Sequence, residues 1–177
     1  WQKRRDSTGG SHFHYWFDSI RGGRYVLQSN TDGTESDSGD DNNIVFKDGG
    51  FDMAASDGGQ GNAASGTYVA WCWKAGGAAV ANTDGTLNSQ VSVNEEAGFS
   101  IVSWTSTGTT GSTIGHGLSK KPDWIILKGR NTSENQPWRV YHTYLGATKS
   151  FQLETSGTPA SQTGVWNDTE PTSSVFT

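Results

Sequence analysis

Residues 32–41 hold five carboxylates, Asp32, Glu35, Asp37, Asp40 and Asp41, in a short stretch rich in Gly and Ser. Hard oxygen donors at this density can collect calcium, although their spacing does not follow the twelve-residue, helix-flanked calcium loop. The five are a candidate calcium loop, with a solvated acidic loop as the alternative. His12 and His14 are two apart, so they share one strand face with Trp16, and two imidazoles on one face can grip a transition metal. No third His, Cys or carboxylate follows at a useful spacing, which favours an ordinary polar sheet face. His116 in Gly-His-Gly-Leu and His142 have no Ser or Cys motif beside them and read as turn and strand residues. A glycosidase needs two carboxyl groups about 5 to 9 Å apart. Glu95 and Glu96 are adjacent, while Glu134, Glu154 and Glu170 fall in or beside loops, so nothing pairs. No catalytic residue is assigned, and the chain reads as non-enzymatic.

Aromatic residues are the stronger binding candidates. Trp16, Trp73, Trp138, Tyr141 and Trp166 could offer flat faces to sugar rings, with Asp, Asn and backbone groups meeting the hydroxyls. Core or cross-strand packing is the competing role for each. Cys72 lies in Trp71-Cys72-Trp73, and alternation with Tyr68 and Ala70 predicts a small buried residue with an unreactive thiol.

The elements that would position these groups are short strands. Apolar and polar residues alternate with period two over residues 12–17, 24–28, 44–47, 51–53 and 67–74, then over 99–104, 123–128, 138–144, 150–154 and 165–166. Gly22-Gly23, Gly49-Gly50, Asn30 to Gly33, Gly108 to Gly111 and Lys121-Pro122-Asp123 separate them as turns. These landmarks recur: Lys3-Arg4-Arg5 matches Lys128-Gly129-Arg130, and Phe51 matches Phe176, both at an offset of 125 residues. In this alignment Tyr25-Val26-Leu27 stands against Phe151-Gln152-Leu153. A repeat of that length is a domain-sized β unit in an array. The expected organisation is the C-terminal part of one repeat over residues 1–75, a Gly- and Asx-rich connector over 76–97, and the N-terminal part of a second repeat over 98–177. The fold expected is all-β, an antiparallel β-sandwich or jelly-roll repeated along the chain.

Composition narrows the partners. The chain has 177 residues, 24 of them Gly, with 32% apolar, 18% charged and a formal charge of −5, which argues against nucleic acid, whose phosphates need a basic face. A single Cys excludes an intrachain disulfide. No apolar run approaches the roughly 20 residues of a spanning helix, so no membrane insertion is expected. Eight Trp, five Tyr and seven Phe supply the anchors that a disordered chain lacks.

Several segments also carry a resemblance. They are Thr67-Tyr-Val-Ala-Trp-Cys-Trp-Lys-Ala-Gly-Gly77, Ala97-Gly-Phe-Ser-Ile-Val102, Gly115-His-Gly-Leu118 before Lys121-Pro122, Tyr141-His142 leading to Leu145-Gly-Ala-Thr-Lys149, and residues 166–176 starting Trp-Asn-Asp-Thr. Together they resemble a repeated module of large structural proteins of tailed bacteriophages, marine ones especially, often found near concanavalin-like jelly-roll domains. The resemblance implies a virion or extracellular location and a structural role in a virion surface or tail fibre. Its expected partners are other copies of itself or other virion proteins, and the alternative is a lectin-like module for host-surface glycans. It carries no cofactor and no catalytic or binding residues to these positions. If the boundary lies in 75–97, the first unit lacks a strand equivalent to residues 99–104 and the second one equivalent to 67–74; a neighbouring copy could fill both gaps head to tail, the alternative being further chain that supplies them.

Overall fold

The computed structural model describes residues 1–6, 12–39, 43–53, 61–131 and 135–177. The chain is all-β, of the β-sandwich class, as the period-two pattern predicts. No helix among the described residues is long and apolar enough to cross a membrane. The strands are β1 (Gln2–Arg4), β2 (His14–Asp18), β3 (Gly22–Gln28), β4 (Ser36–Asp37), β5 (Ile44–Lys47), β6 (Gly50–Met53), β7 (Tyr68–Ala70) and β8 (Val80–Asn82). They continue with β9 (Ser89–Asn94), β10 (Phe99–Trp104), β11 (Ile114–Gly115), β12 (Trp124–Leu127), β13 (Arg139–His142), β14 (Lys149–Gln152), β15 (Ala160–Ser161) and β16 (Val175–Phe176).

The chain divides into two compact units that exchange segments. Unit 1 is Trp1–Cys72 with Lys128–Trp138 and Leu153–Thr155; unit 2 is Trp73–Leu127, Arg139–Gln152 and Ser156–Thr177. Unit 1 contains a five-stranded sheet in the order β4-β3-β2-β1-β7 and the hairpin β5-β6. A two-residue Asp48-Gly49 turn closes that hairpin, with Gly49 at φ +84°, the left-handed conformation such turns require. Its buried apolar residues are Tyr15, Val26, Leu27, Ile44 and Trp138. Unit 2 contains the sheets β12-β13-β14-β15 and β10-β9-β8 and the pair β11-β16, around Val91, Ile114, Val140, Tyr141, Ala147, Trp166 and Phe176. Every strand pair is antiparallel; a single parallel bridge joins Leu87 and Ile114 among the described residues.

The repeat seen in the sequence is a repeat of register. In unit 1, β2 pairs with β3 as Tyr15↔Gln28 and Trp16↔Leu27, and β3 with β4 as Tyr25↔Asp37 and Val26↔Ser36. In unit 2 the same pairings recur as Arg139↔Gln152, Val140↔Phe151, Lys149↔Ser161 and Ser150↔Ala160, every partner 124 residues further on. Gln2↔Tyr15 corresponds to Leu127↔Arg139, so β1 and β12 are 125 apart. The one-residue difference lies in the loop between the first two strands of each meander. Tyr25-Val26-Leu27 therefore corresponds to Lys149-Ser150-Phe151, which corrects the expected partner, residues 151–153, by two positions. A slip of two returns every side chain to the same face, so alternation alone does not detect it.

Other expectations change as well. Only residues 68–70 of the expected strand 67–74 form one, and residues 165–166 lie in a run of turns. The stretch 76–97, read as a connector, carries β8 and β9, and β9 forms six pairs with β10. Gly76 is there for close approach: a Cβ on it would collide with the backbone carbonyl of Val93. Ser92 ties the same region down, its hydroxyl donating to the Gly77 carbonyl at 2.7 Å. Replacing Gly76 by Ala is expected to destabilise unit 2 by about 2 kcal/mol or more, whereas Gly50→Ala, where an added Cβ meets nothing within 4 Å, changes stability by less than about 0.5 kcal/mol. Denaturant unfolding of the two variants checks the contrast.

Candidate functional site

The acidic loop of unit 1 is held by arginines. Asp18 caps the β2–β3 turn, its Oδ1 accepting the N–H groups of Ile20 and Arg21 at 3.0 and 2.9 Å, and its Oδ2 takes the Arg21 Nε at 2.5 Å. Arg21 also donates to Glu35 at 2.9 Å and to the Trp16 carbonyl at 3.1 Å. Arg130 donates to both oxygens of Glu35, each at 2.9 Å, while the Glu35 N–H donates to the Arg130 carbonyl at 2.8 Å. The Glu35 side chain is 11% exposed and that of Arg21 6%. Burial pushes the Glu35 carboxyl up, but Arg130 and Arg21 outweigh it and hold the group below its ordinary value of 4.5.

The described candidate calcium residues, Asp32, Glu35 and Asp37, do not converge on one metal site. Asp37 pairs with Arg24 at 2.6 Å, Glu35 faces its two arginines, and Asp32 accepts the Gln136 N–H at its backbone carbonyl. Asp40 and Asp41 lie outside the described residues. No group of three His, Cys, Asp or Glu side chains among the described residues could hold a metal ion. His14 packs against Trp1, with burial and then the Lys3 charge pushing its imidazole down. Half-buried His12 brings no third ligand to it.

In unit 2 the titratable groups meet at Glu170. Its Oε2 accepts the Lys121 ammonium at 2.6 Å and the Tyr141 hydroxyl at 2.5 Å, and its Oε1 accepts the Ala147 N–H at 2.8 Å. The Lys121 hydrogen bond, with that of Tyr141, holds Glu170 below 4.5. His116 is 2% exposed, with Nδ1 accepting the Leu118 N–H and Nε2 facing the Thr172 carbonyl; burial keeps it neutral. His142 is exposed and caps its own turn, its Nδ1 accepting the Tyr144 N–H. Glu154 accepts the Trp138 N–H, and Glu95 and Glu96 are exposed in the β9–β10 turn. Most of these interactions tie a loop or turn to its neighbours; Glu134 lies outside the described residues.

Three of the expected sugar platforms are core residues, which is a correction. Trp138, Tyr141 and Trp166 are 3%, 0% and 2% exposed and have no face for a ligand. The Trp138 indole donates to the carbonyls of Gln28 and Thr31, and Tyr141 meets Trp166 edge-on at 5.8 Å. Trp16 is half-buried in a chain of indoles that runs from Trp138 through Trp16 and Trp1 to Trp71, with centroids 5.5, 5.9 and 4.5 Å apart. Trp73 is exposed and stacks on Phe99 at 6.2 Å. The most open large aromatics, Trp124 and Tyr144, were not singled out by sequence; Tyr144 lies in a turn and Trp124 opens a terminal strand, positions where burial is not enforced.

Cys72 is exposed, the reverse of the buried thiol expected, because the strand ends at Ala70 and the alternation it would have imposed ends with it. A thiol reagent should therefore label native Cys72 on the timescale of an exposed cysteine, and strong protection in the folded protein would contradict this placement. Acid should weaken both units. The folded chain keeps Glu35 and Glu170 ionised to lower pH than the unfolded chain does, so their stabilisation is complete above pH 4.5 and is lost as pH falls through the folded-state values. Neutral His116 adds a loss that begins below its ordinary 6.5, since the unfolded chain then binds the extra proton. Unfolding followed between pH 7 and 3 should show a slope that Glu35→Gln reduces, and Arg21→Ala should cost about 3 kcal/mol by leaving Glu35 buried beside one cation fewer.

No curated protein and no solved structure matches the chain. A family match covers residues 1–177, the whole described meander pair with its aromatic and acidic segments, and the chain accordingly belongs to the family described as a domain of unknown function (DUF7483).

Proposed function

We propose that the chain is a non-catalytic structural segment of a virion surface or tail fibre, built from repeated β-sandwich modules. The observation that carries this reading is the recurrence of one meander in one register 124 residues on. Repetition of a domain extends a protein without new chemistry and multiplies any weak surface contact by copy number. The spending of charges supports it too: Glu35, Asp37, Glu154 and Glu170 each brace a loop or turn. The viral location draws on the resemblance of the Trp-Cys-Trp and Trp-Asn-Asp-Thr segments to phage structural modules. The test is length. Polypeptides carrying one, two and three copies in tandem should grow by a constant increment in their maximum dimension by small-angle scattering. Growth as a single globule would refute the array, and failure of an antibody against the chain to label tail appendages of particles from its source would remove the viral assignment.

A second reading, recognition of host glycans, rests on different residues from those the sequence suggested. Trp124 is 55% exposed and stands cross-strand from exposed His142, and Tyr144, in the turn two residues after His142, is 89% exposed. An open indole beside hydrogen-bonding groups suits a pyranose ring. Saturable binding on a glycan array that Trp124→Ala abolishes would favour this reading, and its absence would leave the structural one alone.

A further inference from the structure

His116 is 2% exposed and sits where two stretches of unit 2 meet. On one side is its own turn, with the Leu118 N–H donating to Nδ1 at 3.0 Å; on the other is the Thr172 carbonyl, 3.3 Å from Nε2. A backbone N–H can only donate and a carbonyl can only accept, so the ring is neutral and carries its proton on Nε2. The His116 N–H also donates to the Ser174 carbonyl at 3.1 Å, which extends the β11–β16 pairing of Ile114 with Phe176 and Gly115 with Val175 by one step.

The two sides of this joint are held in different ways. β11 is tied to the strands before it: the Leu87 N–H donates to the Thr113 carbonyl at 3.1 Å, Thr86 and Thr113 exchange N–H to hydroxyl bonds of 2.9 Å, and the buried Ser89 hydroxyl donates to the Gly115 carbonyl at 2.9 Å. Residues 172–175 are instead closed on themselves. The Thr172 N–H donates to the Val175 carbonyl at 2.8 Å, and the Thr172 hydroxyl oxygen accepts the Ser174 and Val175 N–H groups at 3.2 and 3.0 Å. Just upstream, Glu170 is pinned by Lys121, Tyr141 and the Ala147 N–H. The segment can therefore part from β11 as a preformed turn, hinged after Glu170, with β11 left in place. Phe176, 4% exposed and edge-on to Trp104 at 5.5 Å, goes with it.

We propose that His116 is an acid-operated catch: one proton taken up at Nδ1 opens the joint between residues 114–118 and 172–176 and uncovers Ile114, Trp104 and Phe176, while the rest of unit 2 stays folded. A proton on Nδ1 turns an acceptor into a donor, sets it against the Leu118 N–H and leaves that buried group unbonded. It also creates a cation away from water, and opening the joint is what hydrates it. The surroundings give little relief. Strands β9 and β10, the rest of residues 114–119, and residues 172–177 carry no acidic or basic side chain. Asp84, in the turn after β8, and the Thr172 carbonyl favour the charged ring, but burial outweighs both and pushes the imidazole below its ordinary 6.5. On the flanking segments Lys121 is paired with Glu170, and Lys120 is exposed. The catch belongs to unit 2 itself and does not depend on what larger assembly the chain serves.

Nuclear magnetic resonance of the whole chain tests it. Near neutral pH the ring nitrogens of His116 should show the Nε2-protonated tautomer. Amide hydrogen exchange, with the intrinsic rate divided out, should lose protection at Leu118 and His116 by about tenfold per pH unit as pH falls from 6.5 toward the folded-state value, the slope of a single proton. Leu87 and Thr143, whose N–H groups bond to Thr113 and Asp123 outside the joint, should keep their protection over the same range. His116→Gln, whose amide can accept from Leu118 and donate to Thr172 without taking up a proton, should flatten the profile at Leu118. An Nδ1-protonated tautomer, protection at Leu118 and His116 that does not change with pH, or an equal loss at Leu87 and Thr143, which is global unfolding, overturns the proposal. The tautomer and exchange readouts use the unaltered protein and decide the matter even if His116→Gln fails to fold.

Discussion

Unit 1 depends on a desolvated carboxylate. Residues 128–138 belong to the second half of the chain, yet they fold with the first, and Glu35 receives them. Its carboxylate, nearly buried, takes two hydrogen bonds from Arg130 and one from Arg21, and Arg21 is itself locked by Asp18. A carboxylate in that position without its cations would be strongly unfavourable, so the loop and the returning segment are held together or not at all. Lys128 adds three bonds from its ammonium to the carbonyls of Asp32, Gly129 and Gln136, and Trp138 closes the segment by donating its indole N–H to the end of β3. Among the described residues of this acidic loop, Glu35 and Asp37 are paired with arginines.

The same economy runs through unit 2, where an apolar core of modest size is supplemented by polar groups that are satisfied one by one. Ser89 and Ser92 are buried, each donating to a backbone carbonyl, and His116 is buried with both ring nitrogens engaged. Glu170 gathers Lys121, Tyr141 and the Ala147 N–H at one point. With 32% apolar residues and no intrachain disulfide, a fold of many short strands is stabilised in part by fastening its turns to their neighbours. Among the described residues Glu35, Asp37, Glu154 and Glu170 are such fasteners.

How far the sequence could be read follows from what each inference required. The all-β class and the repeat of the meander were legible because both depend on local periodicity and on landmarks in chain order, such as Lys3 with Lys128. The match of Tyr25 to its partner was misread by two residues because the period of a strand is two, and an even slip keeps every face correct. Gly76-Gly77 suggested a flexible connector, since a glycine required by close backbone approach and one required by flexibility look alike in a sequence. Three of the five aromatic platforms, Trp138, Tyr141 and Trp166, proved to be core for a similar reason: an aromatic ring suits a core as well as a ligand, and only the neighbours it meets tell which.

By itself the sequence determined the class of the fold, the existence of two related meanders and the absence of a disulfide, because alternation, turn chemistry and cysteine count are properties of a chain read locally. Tertiary structure alone decided that residues 128–138 and 153–155 join unit 1, that Glu35 is clasped by Arg21 and Arg130, and that Trp138, Tyr141 and Trp166 are buried while Trp71, Trp124 and Tyr144 are not. These are statements about which distant residues meet. Charge and aromaticity make such meetings favourable in many combinations, and the combination realised is chosen by sheet register and by the path of the returning chain, neither of which any one segment encodes.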